Sequence, residues 1–192
     1  PDAPFPGNIG ERTLAEFDLA IIGAGPGGYV AAARAAELGM KVACIDKRAL
    51  GGTCLNVGCI PSKALLESSE LYYRTQKGLE HHGIKAQGIE LDLAAMMARK
   101  DKIVQTMAKG IDSLFKGHKV SYFAATARLV APGRIELTGA DQKELTARHI
   151  LLATGSAPIE LPGLPFDGER VIDSTAALSL PEVPERLAVV GG

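Results

Sequence analysis

Phe17-Asp18-Leu19-Ala20-Ile21-Ile22-Gly23-Ala24-Gly25-Pro26-Gly27-Gly28-Tyr29 is a short apolar run that breaks into glycines and resumes as an alanine-rich stretch up to Leu38. The apolar run, without alternation, suits a parallel strand covered on both faces. Gly23 permits a tight turn, Gly25 lets the backbone approach a pyrophosphate, and Gly28 allows close helix–strand packing. A helix from Tyr29 to Leu38 would present its N-terminal N–H groups and positive dipole end to phosphate. Gly39 then ends the helix in the left-handed region. A second strand, Lys41 to Asp46, completes a βαβ half-unit. Asp46 lies 23 positions after Gly23, near the roughly 20 expected of a ribose-binding carboxylate. A bare GxGxxG is a weak signal; strand, turn, helix, strand and acid in this order predict a dinucleotide fold.

Just beyond Asp46 stands Gly51-Gly52-Thr53-Cys54-Leu55-Asn56-Val57-Gly58-Cys59-Ile60-Pro61-Ser62-Lys63. In an undistorted helix the Cα atoms of Cys54 and Cys59 would be too far apart for a disulfide, which needs about 4.4–6.8 Å. A bond between them therefore requires an irregular turn, for which Gly58 and Pro61 supply freedom and constraint. A thiolate at a helix N-terminus is stabilised by the dipole and becomes reactive. Lys63 follows Cys59 by four residues and shares its helical face, where its charge could hold a thiolate or a cofactor's reactive edge. The alternatives are a zinc site, which usually needs four ligands, or two inert buried thiols. A redox pair beside a nucleotide fold points to a flavin-linked disulfide oxidoreductase.

The rest of the chain is read more coarsely. Residues 1–16, rich in proline, glycine and charge, read as an arm or linker. A helix is expected from Leu55 or Asn56, and a long one from Ala64 towards Glu80, closed at His81-His82-Gly83. Asp92 to Lys116 has helical apolar spacing, its methionines serving as core. Short strands follow at 120–125, 127–130, 134–138 and 144–148, an antiparallel meander. His149 to Thr154 reads as a separate buried strand closed by Gly155-Ser156. After a proline-rich connection over 161–186, Leu187-Ala188-Val189-Val190 reads as the first strand of a second dinucleotide fold, cut short. Cys44 is assigned to the core, the charges from Arg99 to Lys102 to a solvated helix face. His81, His82, His118 and His149 are assigned no role.

The spelling of Gly23 to Tyr29 and of Gly51 to Leu66, with Ala153-Thr154-Gly155-Ser156 and Ile172-Asp173-Ser174-Thr175, closely resembles the dihydrolipoamide dehydrogenases of the class I pyridine nucleotide-disulfide oxidoreductase family. The resemblance covers Phe17 to the end. It implies an α/β fold: a Rossmann-like FAD-binding domain over residues 17–160 with a parallel sheet, long crossover helices and a small antiparallel β-meander. It further implies a Cys54–Cys59 disulfide, with Cys54 exchanging with a dithiol substrate and Cys59 facing the flavin. Lys63 would sit near the flavin's reactive nitrogen. FAD would be held by Gly23, Gly25, Pro26, Gly27, Gly28, Asp46 and Lys47, and by Gly52, Thr53, both cysteines and Lys63. Ala127 would offer a backbone contact near the adenine, and Thr154, Gly155 and Ser156 would help close the site. Asp46 stands where relatives more often have glutamate.

By the same resemblance, NAD would bind in a further domain, and a homodimer would serve the lipoyl domains of 2-oxoacid dehydrogenase complexes. The family's acid/base histidine has no counterpart here, so this piece is not expected to complete the cycle. Glutathione and mercuric reductases share the cysteine motif, leaving a reductase of another disulfide or metal substrate, or a non-catalytic folded fragment, as the other readings. A formal charge of −1 over 192 residues gives no bulk attraction to nucleic acid or anionic membrane. No apolar run approaches the roughly 20 residues of a membrane span, and residues 1–6 lack the features of a signal peptide. Three cysteines fit a reducing compartment with one catalytic pair: bacterial cytoplasm in preference to mitochondrial matrix. No metal site is expected.

Overall fold

A computed structural model describes residues 16–139 and 143–191. The arm read over residues 1–16 lies outside these apart from Glu16, whose amide donates to Thr146 Oγ1 at 3.0 Å. The described chain divides into two compact units, one of residues 16–48 and 115–153, the other of residues 49–114 and 154–191.

The first unit is built on β1 (Phe17–Ile22), α1 (Pro26–Glu37), β2 (Val42–Asp46), β3 (Ser121–Ala131), β4 (Arg134–Gly139) and β5 (Lys143–Leu152). β1 pairs in parallel with β2 and β5, and β2 in parallel with β3. β4 pairs antiparallel with both β3 and β5, so the strands close into a ring. The parallel sheet and the meander are thus continuous. β3 opens beside β2 through Ala43↔Ser121 and Asp46↔Ala124, then runs on beside β4. β5 begins beside β4 and finishes beside β1, up to Ile22↔Leu152.

Two sequence expectations are corrected by this arrangement. The segments read as separate strands at 120–125 and 127–130 form one strand, as do those at 144–148 and 149–154. Each long strand changes partner midway, so its burial pattern changes although its backbone does not. The shared core is apolar throughout: Phe17, Ala20, Ala43, Ile45, Ala125, Ile135, Leu137, Leu145 and Ala147 are buried together. α1 begins at Pro26, earlier than Tyr29, because Pro at the first helical turn sacrifices no needed donor. Gly39, at φ +86°, follows its C-cap Leu38 and donates to the Ala36 carbonyl, as expected.

The second unit carries α2 (Gly52–Val57), α3 (Cys59–Lys77), a 3-10 turn (Glu80–His82), most of α4 (Leu93–Gly117) and a second 3-10 turn (Ala176–Ser179). Helix α3 starts at Cys59 rather than Ala64 and stops at Lys77. Leu187–Val190, read as a strand, pairs with no segment among the described residues, and Leu187, Val189 and Val190 are exposed. An apolar run alone forms no ladder without a neighbouring edge to bond.

Candidate functional site

The residues assigned from sequence divide between the units. Gly23 to Gly28, Asp46, Lys47 and Ala127 belong to the first; Gly52, Thr53, Cys54, Cys59, Lys63, Thr154, Gly155 and Ser156 belong to the second.

In the first unit β1, β2 and β5 end at one edge of the parallel sheet, since Ile22 is in register with Ile45 and Leu152. The carboxyl edge of such a sheet is where α/β folds bind ligands. Gly23, at φ +109°, turns the chain out of β1. Its amide donates to the Ile45 carbonyl at 2.7 Å. Gly25 caps α1 and, as glycine, offers its amides no side-chain hydrogen bond. A β-carbon on Gly27 would meet only Ala153 Cβ, at 4.0 Å. Asp46 closes the arrangement: its Oδ2 accepts from the Ala24 amide at 2.7 Å and its Oδ1 from the Arg48 amide at 2.8 Å. An uncapped helix N-terminus and an oriented carboxylate at the next strand's end fit the pyrophosphate and ribose of a dinucleotide. Lys47 is exposed, and Ala127 is half-buried, opposite Leu137.

Cys44 lies beneath this turn. It is fully buried, and its thiol points at the Gly23 carbonyl with sulfur and oxygen 3.9 Å apart. Burial pushes the thiol up to about 12, and the Asp46 carboxylate adds to the effect. This is an inert core thiol.

In the second unit Cys54 and Cys59 form a disulfide with Cα atoms 4.7 Å apart. Gly58 makes that approach possible. It interrupts the helix at φ −146°, ψ −117°, separating α2 from α3. A β-carbon there would lie 2.8 Å from the Thr53 carbonyl oxygen. The irregular turn the spacing demanded is therefore a break between two helices. Cys59 becomes the first residue of the 19-residue helix α3, where the dipole favours a thiolate. Gly51 and Gly52, at φ +99° and +60°, lead into α2. Cys59 is exposed and Cys54 half-buried. Lys63 is exposed on α3 and makes no hydrogen bond or ion pair among the described residues. Thr154, Gly155 and Ser156 are exposed as well.

Several contributors escaped the sequence reading. Asn56 holds the loop before the disulfide, its Nδ2 lying 3.0 Å from the carbonyls of both Leu50 and Gly52. In the Arg99–Lys102 stretch, read as a solvated face, Arg99, Asp101 and Lys102 are exposed, but Lys100 is buried and the reading is corrected there. Arg99 donates to the Ala64 carbonyl at 3.1 Å and to Glu67 Oε2 at 2.7 Å, joining α4 to α3. Lys100 is buried, donating to the Leu178 carbonyl and paired with Asp101 Oδ1, both at 2.9 Å. Arg99 stretches across to the neighbouring helix, and the aliphatic stem of Lys100 covers apolar surface on the way to its carbonyl. No spacing rule marks such residues out from ordinary surface charges.

Residues 17–192 match the pyridine nucleotide-disulphide oxidoreductase family. The chain belongs to that family. The chain is 49% identical over 179 residues to the mitochondrial dihydrolipoyl dehydrogenase of Pisum sativum, covering 92% of this chain and 36% of the relative. It is 51% identical over 182 residues to dihydrolipoyl dehydrogenase 3 of Pseudomonas aeruginosa, covering 93% and 39%. A leghemoglobin reductase of Vigna unguiculata is 49% identical over 179 residues, covering 92% and 34%. The chain spans between 34% and 39% of the length of these relatives. The glycine turn and the Cys54–Cys59 disulfide both lie within the matched residues. Among the described residues no helix is long and apolar enough to cross a membrane, and no three His, Cys, Asp or Glu residues are grouped to hold a metal ion.

Proposed function

We propose that this chain is the flavin- and disulfide-bearing part of a dihydrolipoyl dehydrogenase, which oxidises dihydrolipoamide to lipoamide and reduces NAD+. The observation that carries the reading is the Cys54–Cys59 disulfide set across the α2–α3 break, at the start of a long helix. A substrate thiolate attacks Cys54 Sγ; the sulfur–sulfur bond breaks, and Cys59 leaves as a thiolate stabilised by the α3 dipole. The substrate's second thiolate then displaces Cys54, closing the product disulfide and leaving both cysteines reduced. Two electrons have moved to the protein, and the substrate has lost two thiol protons. FAD, when bound, accepts that electron pair on its way to NAD+. The glycine turn, the N-terminus of α1 and Asp46 would hold its diphosphate and ribose, with Lys47 and Ala127 along the same strands. Gly52, Thr53, Lys63 and residues 154–156 would serve its flavin half. Exposure does not rank the cysteines by role, because a flavin ring against Cys59 would cover the more open of the two.

Homodimerisation, docking of lipoyl domains, and a place in the bacterial cytoplasm or mitochondrial matrix belong to the same proposal. Relatives come both from plant mitochondria and from a bacterium. Denaturing the purified full-length enzyme should release FAD, identifiable by chromatography. Reduction by dihydrolipoamide should produce a long-wavelength thiolate–flavin absorbance that Cys59→Ser abolishes. Survival of that band in the variant would overturn the assignment of Cys59. A second reading, reduction of another acceptor such as leghemoglobin, is favoured by a relative named leghemoglobin reductase at the same identity. A kcat/KM for that acceptor exceeding the one for lipoamide would select it.

A further inference from the structure

Asp46 is held by more than its own strand. Its carboxylate joins the Ala24 amide of the glycine turn to the Arg48 amide two residues downstream. The Arg48 carbonyl, in the following peptide unit, is secured from β3, where Tyr122 Oη donates to it at 2.9 Å. Tyr122 is fixed in turn by its register opposite Cys44 and by its ring against Phe115, with centroids 6.3 Å apart. The result is a continuous relay, Tyr122 to Arg48 to Asp46 to Ala24, linking β3, the end of β2 and the glycine turn within one unit.

We infer that Tyr122 is a positioning residue for the adenosine half of the flavin dinucleotide, acting through Arg48 to fix the Asp46 carboxylate before ligand arrives. This rests on the reading of the glycine turn as the FAD site. A short aspartate gains from such support. Its carboxylate sits one methylene closer to the backbone than a glutamate's, so its direction is set almost wholly by the segment Asp46–Arg48. Left alone, that segment is exposed chain leaving the end of a strand. The Tyr122 hydroxyl removes that freedom, and preorganisation of this kind is returned as affinity. The donor is also secure over the working range: burial, with the Asp46 charge adding to it, pushes the phenol up to about 12.

Tyr122→Phe keeps the ring packing and deletes only the hydroxyl. In the full-length apoenzyme, affinity for FAD and for ADP should fall by roughly three- to tenfold, the worth of one ordinary hydrogen bond. Affinity for FMN, which lacks the adenosine half, should stay unchanged. The Ala24 and Arg48 amides, both donors to Asp46, should exchange their protons faster in the variant. Equal losses for FMN and FAD, or unchanged binding of all three, would overturn the inference. Should Tyr122→Phe fail to fold, ADP added to the wild-type apoenzyme must slow exchange at Arg48 while FMN does not. Absence of FAD binding by the wild type would instead refute the FAD reading itself, leaving the two failures distinct.

Discussion

A β-carbon on Gly28 would lie 1.7 Å from the Gly23 carbonyl oxygen and 2.8 Å from its carbon. Neither atom can retreat, because Gly23 is pinned by its amide to the Ile45 carbonyl. Gly28→Ala should therefore cost on the order of 3 kcal/mol and abolish FAD retention, read by a urea melt and by flavin absorbance after gel filtration. At Gly58 an added methyl meets the Thr53 carbonyl at 2.8 Å, so Gly58→Ala should slow reoxidation of the Cys54–Cys59 pair, followed by thiol titration. Cys44 and Tyr122 set the alkaline behaviour. Both are raised in the folded chain, to about 12 from ordinary values of 9.0 and 10.0. The unfolded chain releases these protons first, so the stability they contribute is intact below about 9 and drains away towards about 12. The urea midpoint should fall across that window, and Cys44→Ala should flatten the decline.

Among the elements, α4 is held by its charges as well as by its apolar stripe. Arg99 secures it to α3, and Lys100 secures it to the turn Ala176–Ser179. Lys100→Met should cost about 1–3 kcal/mol by stranding the Leu178 carbonyl. It should also raise hydrogen exchange at Ala177 and Leu178, whose amides donate to the Asp173 and Thr175 carbonyls just before that turn. The elements themselves show where sequence was sufficient. β1, β2 and α4 were legible because each keeps one environment along its length, so its apolar pattern has one meaning. β3 and β5 were not, because each passes from a parallel to an antiparallel partner. The start of α3 was misplaced because Gly58 breaks and restarts the helix within one residue, and no propensity marks that.

At the scale of the molecule the disulfide adds little cohesion. It closes a separation of only five residues, and the chain-entropy value falls below the roughly 3 kcal/mol of a 15-residue loop. The nine-residue core of the ring contains neither cysteine. Dithiothreitol should therefore leave the far-ultraviolet circular dichroism and the exchange protection of the strands unchanged while abolishing reactivity towards dithiols. Collapse of strand protection on reduction would show that the bridge also holds the ring.

The sequence by itself determined the glycine turn, the acid at the end of the next strand, the cysteine pair and the family they belong to. These are local matters: a left-handed turn needs glycine, a pyrophosphate needs bare backbone, and a reactive thiolate needs a helix end. Tertiary structure alone decided that the parallel sheet and the meander share two strands, that Arg99 ties α4 to α3, and that Lys100 is buried against the Leu178 carbonyl. It alone joined Tyr122 to Asp46 through Arg48. Those contacts link residues distant in sequence, and a side chain's partner across the fold is fixed by packing, which no local pattern records.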